Sequence, residues 1–98
     1  MPTYEQEGQF ANDYRNLTPQ QRIAFLTAVR QVVADLRAKR GFRPSLRIKG
    51  VQGHGGIFEM TWEMADGRAT FRYGSEQRPG EPHIIWRRVG GHDIFRNP

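Results

Sequence analysis

The stretch His83-Ile84-Ile85-Trp86-Arg87-Arg88-Val89-Gly90-Gly91-His92-Asp93-Ile94-Phe95 reads as an apolar strand that two glycines end before a His-Asp pair. Alternation puts Ile84, Trp86 and Arg88 on one face, with His83, Ile85, Arg87 and Val89 on the other. Both faces carry apolar residues, so the pattern predicts a central strand and leaves open which arginine faces outward. Two arginines, two histidines and a tryptophan in one strand and its closing turn can bind a phosphate, stack on a base and move a proton.

Upstream of that strand, the spacing predicts a hairpin. Phe58, Met60 and Trp62 alternate with Glu59, Thr61 and Glu63, the pattern of a half-buried strand. Asp66-Gly67 is a turn signal, and Ala69, Phe71 and Tyr73 then alternate with Thr70 and Arg72. Leu46 to Val51 reads as a further short strand with Arg47 and Lys49 on one face. Gly53-His54-Gly55-Gly56 reads as a flexible turn and Gly74 to Pro82 as a polar loop.

The first part of the chain has the helical period instead. Thr18 is a good N-cap, Pro19 suits the first turn and Gln21 completes a capping box. An apolar stripe follows through Ile23, Leu26, Val29, Val33 and Leu36, widened by Phe25 and Val32. The helix is expected to end near Arg37 to Gly41, with Gly41 as C-cap. Phe10, Tyr14 and Leu17 predict a shorter helix beside it. Helices followed by a meander imply an α+β fold: two N-terminal helices on one face of a mainly antiparallel four-stranded sheet, in one domain spanning 1–98.

Composition narrows the function classes. The formal charge is +5 over 98 residues. Residues 1–36 carry three arginines against four carboxylates, a net of −1, whereas 37–98 carry twelve Lys/Arg against six Asp/Glu, a net of +6. A field concentrated in one part of the chain points to a polyanionic or acidic partner. The absence of cysteine removes disulfides, thiolate chemistry and Cys-based zinc sites. The first residues lack a secretory pattern and no apolar run suits a membrane, so a cytoplasmic protein is expected.

His54, His83 and His92 have no metal-ligand spacing, and no metal or other cofactor is expected. The glycine run at 53–56 precedes a strand rather than a helix, so it lacks phosphate-loop geometry. The only serines, Ser45 and Ser75, fall in loops and fit no catalytic triad. What remains is a basic and aromatic set: Arg47, Lys49, Arg68, Arg72, Arg87, Arg88, His83, His92 and Tyr73. RNA cleavage needs a base for the 2′-hydroxyl, cations for the pentavalent phosphate and an acid for the leaving oxygen. Glu59 or a histidine can be the base, the arginines can hold the charge, and His92 can be the acid.

The order of these elements resembles the RelE/ParE superfamily, small basic toxins of bacterial toxin–antitoxin systems. The similarity runs from about Phe10 to Phe95. It lies in Leu46-Arg47-Ile48-Lys49-Gly50, in Ile57-Phe58-Glu59-Met60, in Gly67 to Tyr73, and in Val89-Gly90-Gly91-His92-Asp93-Ile94-Phe95. A RelE-like member implies a metal-independent, ribosome-dependent mRNA endonuclease held inactive by an acidic antitoxin. Carried over by position, Arg47 and Lys49 lie on the first strand, and the catalytic set is Glu59 on the second, Arg68 or Arg72 on the third and His92 at the end of the last. Arg47, Lys49, Tyr73, His83, Arg87 and Arg88 are the RNA contacts. Family nucleases often carry a tyrosine near the C-terminus where this chain has Phe95, which exchanges no proton. The alternative within the same fold is a non-catalytic protein, either a DNA gyrase inhibitor or a non-toxic relative.

Overall fold

The computed structural model describes residues 2–98. In chain order it forms strand β1 (Thr3–Gln6), helices α1 (Phe10–Arg15) and α2 (Pro19–Ala38), and the two-residue strand β2 (Lys49–Gly50). The long strands β3 (Ile57–Glu63), β4 (Gly67–Gly74) and β5 (His83–Gly90) follow. Short 3-10 turns cover Pro44–Leu46 and His92–Arg96. The sheet order is β1-β5-β4-β3-β2, and every neighbouring pair is antiparallel except β1 with β5. The α+β expectation holds, but the sheet has five strands and is mixed, where four antiparallel strands were expected.

The extra strand, β1, escapes apolar patterning because none of its four side chains is buried. Backbone pairing to β5 and two polar contacts hold it. The His83 imidazole meets the Thr3 hydroxyl at 2.6 Å through Nδ1 and the Glu5 carboxylate at 3.0 Å through Nε2. With β1 on one side and β4 on the other, β5 is an internal strand, as its apolar faces predicted.

Helix α2 begins as its capping box requires. The Gln21 N–H donates to the Thr18 hydroxyl at 3.1 Å, and the Thr18 N–H donates to the Gln21 side-chain oxygen at 2.8 Å. It ends at Ala38, within the expected range, but with Lys39 rather than Gly41 as the left-handed C-cap at φ 56. Asp35 accounts for the turn there. Its carboxylate accepts the Arg43 backbone N–H at 2.9 Å and the Arg43 guanidinium at 3.0 Å, drawing the chain back along the helix. The same Arg43 contacts hold the Asp35 carboxyl below its ordinary range.

The buried side of α2 keeps Phe25, Val29, Val32 and Leu36 of the expected stripe but loses its first two members. Phe25, Ala28 and Val32 face the core, whereas Ile23 and Leu26 are 67% and 41% exposed. The large Phe25 ring sets this rotation. It packs against Phe10 at 5.9 Å and Tyr14 at 6.2 Å from α1, Trp62 at 6.1 Å from β3, and Trp86 at 5.4 Å from β5. Edge-to-face rings at these separations add attraction beyond their buried area.

Two local features correct the strand assignments. Leu46 to Val51 was expected to be extended, yet Pro44-Ser45-Leu46 forms a turn, Arg47 sits at φ 48, and only Lys49–Gly50 pairs with β3. Pro44 favours that turn by fixing its own φ, and the buried Leu46 anchors it. On β5, Phe71 lies opposite Trp86 and Thr70 opposite Arg88, so Arg87 is an extra, bulged residue. The bulge resets the alternation. Val89 therefore joins Ile84 and Trp86 in the core instead of facing away from them.

Because four rings close around it, Phe25→Ala is expected to destabilise the fold by about 3–5 kcal/mol. Ile23→Ala and Leu26→Ala should each change stability by less than about 1 kcal/mol. Denaturant unfolding of the three variants checks the assignment, and a larger loss from Ile23→Ala than from Phe25→Ala would reverse it.

Candidate functional site

The helices cover one face of the sheet; on the other, β3 and β4 present Glu59, Thr61 and Arg68. These three border an open groove of about 450 Å³. Its far wall comes from the segment before β3, which contributes Arg47, Lys49 and His54, and its near wall from the turn after β5, which contributes His92 and Phe95.

Local geometry explains how each side chain arrives. Arg47 closes the Pro44–Leu46 turn, its N–H donating to the Pro44 carbonyl at 3.0 Å. Lys49 lies opposite Glu59 across the β2–β3 pair, with Nζ 4.0 Å from the carboxylate and largely in solvent. His54 occupies a tight turn between Gly53 at φ 80 and Gly56 at φ 82, conformations that favour glycine. Its N–H donates to the Val51 carbonyl at 3.1 Å. The Arg68 guanidinium donates to the Glu63 and Gly67 carbonyls at 3.1 and 3.0 Å, which fixes it at the hairpin end of β4.

His92 is set by two contacts that no local pattern announces. Its backbone N–H donates to the Asp66 carboxylate at 2.9 Å, across 26 residues of sequence. Its ring meets the Phe95 ring edge-on at 5.2 Å. Gly91 is required for the first contact, because a Cβ there would overlap the Asp66 carboxylate. Phe95, which has no proton to exchange, thus orients the imidazole beside it.

The groove unites Glu59, Arg68, His92, Arg47 and Lys49 from the anticipated set and separates the rest. Arg72 and Arg87 converge on Glu7: Arg72 donates to its two oxygens at 3.0 and 2.9 Å, and Arg87 to one of them at 2.7 Å. Arg88 pairs with Asp13 of α1 at 2.7 Å and also bonds the Asn97 carbonyl, so it ties α1 to β5 instead of facing a ligand. Tyr73 packs edge-on against Phe58 and Phe71 on the helix side of the sheet, and burial pushes its hydroxyl pKa up. His83, at 5% exposure, is enclosed by its β1 partners. The expected RNA contacts at Tyr73, His83 and Arg88 thus lie away from the groove, because packing and ion pairs engage them. His54, expected only as a turn residue, lies in it. Its signal was the histidine itself, since a turn built by glycines needs none.

Chemically, the groove offers two imidazoles, three cations and one carboxylate along an open surface. Among the described residues no three His, Asp or Glu side chains come together as metal ligands would.

No protein-family model matches the chain, and no curated protein matches it in sequence. Solved structures do match. YafQ of E. coli, in its complex with DinJ, superposes with a TM-score of 0.63 at 16% identity, over 96% of this chain and 97% of that one. A second structure, described as the E. coli DinJ-YafQ toxin-antitoxin complex, gives 0.63 at 16% over 95% and 94%. A histidine-to-glutamine variant of YafQ from E. coli gives 0.62 at 14% over 96% and 97%. The likeness to YafQ therefore holds for the fold across nearly the whole chain.

Two expectations follow from these contacts. Gly91→Ala should displace the exposed Asp66 carboxylate and shift the His92 ring resonances in NMR spectra, with a stability loss below about 1 kcal/mol because that side chain can swing aside. Unmoved resonances would contradict the assigned contact. The second concerns acid. The hydrogen bond from Arg72 holds the Glu7 carboxyl below its ordinary 4.5 against the opposing effect of burial, and Arg87 adds a smaller lowering. A depressed folded-state pKa stabilises fully above the unfolded value and loses that contribution as pH falls through the folded value. The stability gap between the native chain and Glu7→Gln should thus be constant above about pH 5 and shrink in stronger acid, as thermal unfolding across pH will show.

Proposed function

We propose that this protein is the toxin of a bacterial toxin–antitoxin pair, a single cytoplasmic domain that cleaves mRNA on the ribosome without a metal ion. The observation that supports this reading best is the meeting of His54 and His92 with Arg47, Lys49 and Arg68 around Glu59 in one open groove. A surface groove of this kind admits an extended strand, whereas it would bury little of a small metabolite. The fold shared with YafQ, a protein solved with DinJ as a toxin-antitoxin complex, adds to it.

Each step of phosphodiester cleavage has a group to serve it. Glu59 or His54 takes the 2′-hydroxyl proton as that oxygen attacks phosphorus. Arg47, Lys49 and Arg68 hold the charge of the pentavalent phosphate, where fixed cations have the largest effect. The P–O5′ bond breaks, and His92 gives its proton to the departing oxygen. The products are a 2′,3′-cyclic phosphate and a 5′-hydroxyl. With Phe95 inert, the proton transfer at this end of the groove falls to His92. The antitoxin is expected to be acidic, since the chain carries a net +5.

The test is purified protein on ribosomes carrying a defined mRNA, with cut ends mapped. His92→Ala should slow cleavage by about 10²–10⁴-fold, the usual worth of one positioned acid or base, and Arg68→Gln should slow it as well. A comparison of Glu59→Gln with His54→Gln identifies the base as the slower variant. Growth arrest with damaged DNA and intact mRNA would transfer the reading to a gyrase inhibitor. No growth arrest on expression would remove the toxin reading.

A further inference from the structure

Outside the groove, one arrangement on the same sheet face has the chemistry of a binding site already filled. We propose that Arg72 and Arg87 form a second phosphate site, which the Glu7 carboxylate occupies as an internal stand-in until a backbone phosphate of RNA displaces it. The identity of the ligand rests on the RNA-cleaving reading above.

The geometry is that of an oxyanion cradle. One Glu7 oxygen accepts Arg72 Nε at 3.0 Å and Arg87 Nη1 at 2.7 Å, and the other accepts Arg72 Nη2 at 2.9 Å. A guanidinium fork offers the same parallel donors to a phosphate as to a carboxylate. Arg87 also donates through Nε to the Pro98 oxygen at 2.9 Å, so the Glu7 carboxylate is held by three of the donors that the two arginines carry. All three side chains are partly open to solvent, and a groove of about 330 Å³ borders Glu7, Gly8 and Arg87. Glu7 lies between β1 and α1, followed by Gly8 at φ 57, so its side chain can leave without unpairing a strand.

Position links the two sites. Arg68 and Arg72 lie four residues apart on one face of β4, roughly 13 Å along the strand, a distance that a few nucleotides of extended backbone cover. A free phosphate must compete with a carboxylate tethered beside the arginines. A strand already held in the groove presents its next phosphates at a high effective concentration, on the order of millimolar. The second site therefore favours polynucleotide over mononucleotide.

A 2′-O-methyl oligoribonucleotide, which cannot be cut, is the probe, and binding is read by fluorescence anisotropy at several salt concentrations. Glu7→Gln should tighten binding about tenfold, the worth of one charge-assisted contact. It should steepen the salt dependence by about 0.7 per added phosphate, and Arg72→Gln in that background should remove the gain. Unchanged affinity in Glu7→Gln, while Arg68→Gln still weakens the native chain, overturns the second site alone. No RNA binding by the native chain overturns this site, while the RNA-cleaving reading stands or falls separately on the cuts mapped on the ribosome. Should Glu7→Gln fold poorly, the native chain decides. The Nε–H resonances of Arg72 and Arg87 should move when the oligonucleotide is added, and their constancy overturns the proposal.

Discussion

The packing of Phe25 is the constraint from which the remaining geometry follows. Its ring is 3% exposed and touches rings from α1, β3 and β5, joining all three at one point. Seating it in the aromatic cluster determines which side of α2 is buried and commits the helices to one sheet face. The opposite face is thereby left open. The chain of contacts continues to the groove: Trp62, packed on Phe25, donates its indole N–H to the Arg68 carbonyl at 2.8 Å. A cation in the candidate site thus stands on a strand that the aromatic core holds in register.

Electrostatics then separates structural from available cations. Asp13, Glu7 and Asp35 engage Arg88, Arg72 with Arg87, and Arg43 respectively. These pairs join α1 to β5, the β1–α1 link to the sheet, and the end of α2 to the segment after it. In the groove the balance differs. Arg68 donates to backbone carbonyls and Lys49 stands 4.0 Å from Glu59, so the cations there keep donors for a ligand. A partly exposed ion pair contributes little to stability; its use here is to hold elements in position.

Signals confined to a few neighbouring residues were legible in the chain. The Thr18–Gln21 capping box, the Asp66-Gly67 hairpin and the alternation through Phe58, Met60 and Trp62 each state their own geometry. Features that depend on distant partners were not. Ile23 and Leu26 lie at helical spacing as good as that of Phe25, Ala28 and Val32, and only the ring cluster decides between them. β1 shows no alternation because its partners are one strand, one histidine and solvent. The bulge at Arg87 moved Val89 to the core and could not be read from a pattern that assumes regular alternation. In the groove, the cations and His92 were legible as chemistry; the arrival of His54 and the grip of Asp66 on His92 come from the folded chain alone.

The place of β5 in the sheet has a consequence in time. It is the last strand to be synthesised, yet it lies between the first strand and the fourth. Until it emerges, β1 has no partner, and the wall of the groove that carries His92 does not exist. Such long-range closure is slow relative to local hairpins and helices. A chain still being translated therefore carries its groove cations without the histidine that completes them.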